Sequence, residues 1–504
     1  MKLKLKHSVI FVCYICLFAV SALLLTSLFS KQPVAQAEEI AETPVTPSGV
    51  CGTDVTWEYS EDTNTLTISG SGAMTSYAYG TAPWYSYAGK INKVIVSNEI
   101  TSISAGAFYG FNVLQEITLP FVGGSRAVSK TVADSFNGWY GGSAYLFGYV
   151  FGGASKSNTT STADWIYQGQ KRDPHGCQDG YYIPASLRKV TITDAEGISA
   201  NAFYGCTMIE ELNLNDSITA IYDNAFYNLG MINQSSESFV VSGDILLKYK
   251  GSDTNVSIPD GIELIAPRAF ESNSTLSSVQ FPNTITWVGA YAFYNCTNAI
   301  VNVPKISGSL TFDSNAFTNT GSVKYLDQSS YSNGNDTYYY TIDTDGNAII
   351  VGCTTTSVNI TLPVTLGGYP VIAVGYRGMA DCTTLTSVTI PNNIVRLDLY
   401  AFAGCTGITT ATIPATCQYV GDYAFTDCTS LTTVVIAEGV TYLGDYCFQD
   451  CTSLTEIVVP DSCEYLGKYA FYNCMALESA TIGITVPAIY EWLCHNKWLI
   501  FDEK

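Results

Sequence analysis

Histidine is nearly absent from this chain, which has only His7, His175 and His495. Ser-His-Asp and Cys-His nucleophilic catalysis therefore have almost nothing to draw on. Charge is scarce too, at 13% of residues, and positive charge scarcest, with 23 Lys and Arg against 44 Asp and Glu. A net charge of −21 leaves no electrostatic footprint for nucleic acid or for an anionic membrane surface. No phosphate-binding glycine loop is found, and no pair of carboxylates has a spacing that singles it out for acid–base work. Long apolar runs are missing, with one exception. Ser8 to Phe29 is uncharged and mostly apolar, follows the basic stretch "MKLKLKH", and precedes "AQA" at 35–37. That is the layout of a signal peptide over residues 1–37 with a small-x-small cleavage site. The run is also long enough to span a bilayer, so an uncleaved anchor is the alternative. Either way the rest of the chain is expected outside the cytoplasm, meeting a membrane only through that segment.

What the chain does have is a period. "DYAFTDCTSLTTVVIA" and "DYCFQDCTSLTEIVVP" align with two neighbours so that Phe402, Phe425, Phe448 and Phe471 fall 23 residues apart. Cysteines keep the same step, and Cys206, Cys296, Cys382, Cys405, Cys428, Cys451 and Cys474 form one column. Upstream, Phe108, Phe203, Phe226, Phe270, Phe293 and Phe317 continue the pattern, and Met379 replaces Phe in "RGMADC". A unit of 20–29 residues reading L-x-x-V-x-I-P, then a second apolar pair, then A-F-x-x-C, is a leucine-rich-repeat coil. No single coil buries its own inner face, so stability must come from stacking. The expected fold is a leucine-rich-repeat solenoid, β-dominated, with parallel strands stacked at a 23-residue period. It forms two arrays with β-hairpin insertions.

The coil resembles the BspA-like leucine-rich repeats of bacterial surface proteins. "CGTDVTWEYSEDTNTLTISGSGAM" from Cys51 is similar to that family's opening β-module, and 120–193 resembles an insertion between its early coils. The resulting organisation is a signal peptide (1–37), a linker (38–50), an N-terminal β-module or cap (51–90) and a first array (91–320). That array carries an insertion at 121–190 and a hairpin at 238–251 turning at Gly243-Asp244. A spacer and hairpin (321–357), a second array (358–486) and a C-terminal cap (487–504) follow. The cap is expected to be a short amphipathic helix from near Pro487, with Ile489, Trp492 and Leu493 as its apolar face. Resemblance to the family implies cell-surface adhesion, with host extracellular-matrix proteins as ligands of some members.

Chemistry is harder to find. Stacked cysteines sit about one strand spacing apart, wider than a disulfide prefers. A parallel row also lacks the convergence a zinc cluster needs. Buried thiols donating weakly to the turn backbone are expected. Phe111, Leu229, Asn273 and Thr320 stand where Cys would fall. His175 and Cys177 lie close together in the insertion, the one place an enzymatic reading could start. "DTDGN" at 343–347 looks like the start of a calcium loop but lacks its distal Glu, so a turn is the better reading. No metal or other cofactor is expected. The remaining candidates are surface columns. Tyr400, Tyr423, Tyr446 and Tyr469 form one. The strand face contributes Thr389, Thr410, Thr412, Thr433, Val435, Glu456 and Val458. Tyr and Thr offer contact area and hydrogen bonds at low entropy cost, which suits an extracellular protein or glycan ligand. The same residues are also what a β-coil needs for stability. A structural envelope protein without a ligand is therefore the second reading, and an enzyme with its site in 121–190 the third.

Overall fold

A computed structural model describes residues 46–126, 144–152, 165–168, 181–304, 310–313, 315–343, 345–482 and 500–503. Residues 48–504 form one compact unit, a β-solenoid of parallel strands with almost no helix. Each regular coil lays a strand of three or four residues in one wall and a strand of two in the other, as in Thr433–Ile436 and Tyr442–Leu443. In the first of these, Val434 and Ile436 are buried while Val435 is exposed, the period-2 alternation of a half-buried strand. Leu443 then points inward from the opposite wall. The ladder is in register from coil to coil, Thr410 beside Thr433 and Ala411 beside Val434. Phenylalanine rings stack down the interior, with Phe402–Phe425 centroids 5.1 Å apart and Phe425–Phe448 5.4 Å apart, within 8° of parallel.

Three antiparallel hairpins each end in a strand that becomes the first rung of a parallel ladder. Gly52–Ser60 pairs with Thr65–Met74, which then lies parallel to Lys93–Val96. Phe239–Ser242 and Ile245–Tyr249 make the hairpin around Gly243-Asp244, and the second strand runs parallel to Leu264–Ile265. Asp336–Ile342 and Ala348–Thr355 make the third, leading to Tyr369–Val374. The hairpins are therefore seeds of new arrays, since each offers a ready strand edge on which coils can stack. At the third turn the Asp343 carboxylate accepts the N–H groups of Asp345 (3.0 Å) and Asn347 (2.8 Å), which makes it a turn latch.

Three segments differ from expectation. Ser322–Tyr325, assigned from sequence to a spacer, is a strand parallel to Ile300–Val303, because its Val-x-Tyr alternation buries Tyr325 without the Phe marker of a coil. Within the insertion, Phe147–Phe151 forms a 3-10 turn that fills a coil position. Val150 O accepts from Phe108 N, Phe147 N donates to Ala202 O, and the Phe147 ring lies 5.2 Å from Phe203. At the C-terminus, Ile500–Glu503 is a strand parallel to Ser479–Ile482, where a helix was expected. Ile489, Trp492 and Leu493 lie outside the described residues, as do His175, Cys177 and the N-terminal segment 1–37. No helix among the described residues is long and apolar enough to cross a membrane.

One backbone feature repeats in nearly every coil. The residue before Ala-Phe and the residue four positions later both have positive φ, for example Tyr423 (54°) with Asp427 (58°), and Tyr291 (57°) with Asn295 (58°). The left-handed region costs a side-chain-bearing residue roughly 1–2 kcal/mol. Asn, Asp and Gly fill most of these slots, at little cost. Tyr400, Tyr423, Tyr446 and Tyr469 do not fit that preference, and their packing has to offset it.

Candidate binding surface

The sheet from Asn359–Thr361 to Ile500–Glu503 has seven parallel strands. Its outward columns run Ser387, Thr410, Thr433, Glu456 and Thr389, Thr412, Val435, Val458, with Ser387 beside Thr410, Thr410 beside Thr433, Thr433 beside Glu456, Thr389 beside Thr412 and Thr412 beside Val435. Val435 is 52% exposed and Val458 49%. Thr389, Thr410, Thr412 and Glu456 are exposed and Thr433 half-buried. Two sets of threonines must be distinguished here. Thr409 Oγ1 donates to Thr386 O (3.2 Å), Thr432 to Thr409 O (3.0 Å) and Thr455 to Thr432 O (3.4 Å). That column is engaged in tying coils together. The hydroxyls of Thr389, Thr410, Thr412 and Thr433 bond to nothing among the described residues, so they remain available.

The tyrosine column is half-buried, where exposure was expected. Tyr400, Tyr423, Tyr446 and Tyr469 stack face to face at 5.0, 4.9 and 5.1 Å. Burial, with the neighbouring Tyr469 second, pushes the Tyr446 phenol up to about 12. A second ladder on the short-strand wall, Tyr419–Tyr442–Tyr465 at 4.7 and 4.5 Å, was missed in the sequence. The signal was present as a 23-residue step, masked because Tyr also fits an ordinary strand position. In both ladders each ring covers its neighbour's face, so only edges and hydroxyls are presented. Sugar rings stack on aromatic faces, and these faces are already taken. Carboxylates support the same side: Asp422 Oδ1 accepts Asp445 N (2.8 Å), and Asp445 Oδ1 accepts Lys468 N (2.7 Å) and the Tyr465 hydroxyl (3.1 Å).

The cysteine column lies inside. The thiols of Cys296, Cys405, Cys428, Cys451 and Cys474 donate to the carbonyl of the Phe-slot residue one coil back, at 3.0–3.3 Å. Burial pushes the Cys428 thiol up to about 12, which keeps it protonated and able to donate at neutral pH. Cys447 is fully buried at the small-residue slot held elsewhere by Ala. Among the described residues no group of three or more His, Cys, Asp and Glu is placed to hold a metal ion.

The family model for the BspA type leucine rich repeat region matches residues 82–127, 178–241, 243–359 and 374–497, in six copies, well over half of the chain. The chain belongs to this family. Among solved structures it is similar to a leucine-rich repeat protein of T. pallidum at 28% identity, covering 29% of this chain and 68% of that one, with a TM-score of 0.28. A leucine-rich repeat protein of Eubacterium ventriosum is 17% identical over 86% of this chain and 84% of its own (TM-score 0.26). A leucine rich cell surface protein of Faecalibacterium prausnitzii is 16% identical over 87% and 89% (TM-score 0.27). A search of curated proteins finds no match.

Proposed function

We propose that this BspA-type chain is an exported, non-enzymatic protein that uses the Thr/Val face of its C-terminal array to hold an extracellular protein ligand, with adhesion as the outcome. The observation that carries the reading is the division between the threonine columns. One column is used up in bonds between coils, while Thr389, Thr410, Thr412 and Thr433 keep free hydroxyls beside the exposed Val435 and Val458. An exposed apolar pair framed by unengaged polar groups, with Glu456 beside it, is the composition of a binding patch. The family and the cell-surface description of a structural relative support export and a surface location. A protein ligand fits better than a glycan on this array because the tyrosine faces are covered by each other.

The test is saturable binding of the full chain to immobilised matrix proteins and mucins. The double variant Val435→Lys, Val458→Lys is expected to weaken binding by about tenfold or more with an unchanged unfolding midpoint. Tyr423→Phe is expected to leave binding as it was. If no member of the panel binds saturably, the envelope-protein reading without a ligand takes over.

A further inference from the structure

Where the middle array ends, at the third hairpin, the solenoid leaves a cleft of about 590 Å³. Its floor is apolar, made by Phe317, Val323 and Leu399 together with Tyr376, whose ring meets Phe317 at 5.5 Å and Phe312 at 5.7 Å. Its polar lining residues include Thr318, Asn319, Ser322 and Arg377. In regular coils the two N–H groups around the Phe slot donate to carbonyls of the next coil. Phe270 N meets Ala292 O at 2.7 Å and Ser272 N meets Tyr294 O at 2.7 Å, and Met379 N and Asp381 N do the same at 2.8 Å. After Phe317 there is no next coil, because the chain turns into the hairpin. Among the described residues the N–H groups of Phe317 and Asn319 meet no acceptor, and both residues line the cleft.

We infer that this cleft binds a small carboxylated saccharide, a uronic or sialic acid at the end of a glycan. Two backbone donors on one turn, in the position where coils such as those of Phe270 and Met379 meet carbonyl oxygens of the next coil, make an acceptor site. Arg377 adds positive charge in a chain of net charge −21. Its Nη2 holds Asp381 at 2.6 Å, and a guanidinium has further donors to offer a carboxylate. That pair is exposed, so sharing Arg377 costs little. The apolar floor takes the hydrocarbon face of a sugar ring, and Thr318 and Ser322 face its hydroxyls. The volume falls in the range of small-molecule sites and is too small for a folded partner. This site is separate from the Thr/Val face, so either can fail without the other.

The test is calorimetric titration of the full chain with glucuronic acid and with N-acetylneuraminic acid, against glucose, acetate and an oligoglutamate peptide. One of the acidic sugars is expected to bind saturably and more tightly than all three controls. Arg377→Gln is expected to weaken it by about tenfold without moving the unfolding midpoint. Hydrogen exchange on the unmodified chain gives a readout independent of any variant: the peptide covering 315–320 should slow with the acidic sugar and not with glucose. Equal binding of glucose, tighter binding of oligoglutamate, unchanged affinity in Arg377→Gln, or protection confined to other segments would each overturn the proposal.

Discussion

The two internal junctions, one at each array-starting hairpin, solve the same problem differently. In both, the first coil after the hairpin puts an arginine in the left-handed slot, Arg268 at 62° and Arg377 at 53°. Arg268 reaches back across its junction. Its Nε and Nη2 hold the two Asp223 oxygens at 2.6 and 3.0 Å, Nη1 holds Glu271 at 2.5 Å, and the guanidinium lies 4.7 Å from the Tyr291 ring centre. Arg377 finds no such anchor, because in the sequence Ser314 stands where Asp223 does. It pairs with Asp381 of its own turn and lies 6.0 Å from the Tyr400 ring centre, farther than Arg268 from Tyr291. Ring packing differs too: Tyr249 extends the Phe270–Phe293 stack of the array that follows it at 5.2 Å and 25°, while Tyr376 meets Phe317 of the array that precedes it at 58°. One junction is clamped and stacked, and the other is left open as a cleft.

The largest effect that would break this contrast lies in the rings. Tyr249 is buried and Tyr376 half-buried. Tyr249→Ala should cost about 3–5 kcal/mol, and Tyr376→Ala about 1–3 kcal/mol. Urea unfolding followed by circular dichroism measures both. A splitting of the transition is expected in the Tyr376 variant, whose two flanking arrays are less well coupled. Equal losses would mean that the two junctions are mechanically alike. Next come the arginines. Arg268→Gln leaves Asp223 and Glu271 without their partner and should cost about 1–3 kcal/mol. Arg377→Gln breaks an exposed pair and should stay within about 0.5 kcal/mol by the same measurement.

How much of this was legible in the sequence depends on the kind of signal. Columns filled by one residue type or a close match were plain: those of Phe425 and Leu431 show a 23-residue step directly, with Met379 and Ile408 as conservative stand-ins. The left-handed slots were not read, because Asn, Gly, Asp, Ser, Arg and Tyr all occupy them, and the four tyrosines that do repeat read as a surface column. Thr320 was read as a gap in the cysteine column, yet its hydroxyl donates to Phe293 O at 2.8 Å, the bond that Cys405 and Cys428 make one coil back. In the middle and C-terminal arrays a hydroxyl or a thiol can fill the slot and make the same bond. The cleft was invisible for a different reason: it is made by a coil that is missing. As for the candidate surface, the strand-face columns were legible from alternation alone. Which threonines were already engaged needed three-dimensional neighbours.

Acidity acts with two signs around the second junction. Asp398, which raises the phenol of buried Tyr325 near the second junction, has its carboxyl pushed from 3.8 up to about 6 by burial, with Arg396 at 3.2 Å pulling the other way. A carboxylate raised in the folded state penalises folding above its folded pKa, and the penalty disappears as it protonates. Between pH 7 and pH 4 its contribution should therefore grow more favourable by about 1–2 kcal/mol, discounted because its side chain is 23% exposed. Asp336, held low by the hydroxyls of Ser357 and Thr355, has the opposite sign, and its stabilisation is lost as pH falls through its folded pKa. Asp398→Asn should remove the gain in the upper window and leave the acid-side loss. A gain that survives the substitution would place its origin elsewhere.

A single donor tests whether the two arrays share one design rule despite different letters. Thr320→Val keeps the shape and removes the donor, leaving Phe293 O without that bond, and should cost about 1 kcal/mol. Thr320→Cys restores a donor of the type used at Cys428 and should recover most of that loss in the same unfolding experiment. If Val and Cys behave alike, the slot is filled by volume only and the thiol–carbonyl bonds of the C-terminal array contribute nothing to it. If Cys recovers the loss, the irregular middle array and the regular C-terminal one are held by the same bond, made by a hydroxyl in one and by thiols in the other.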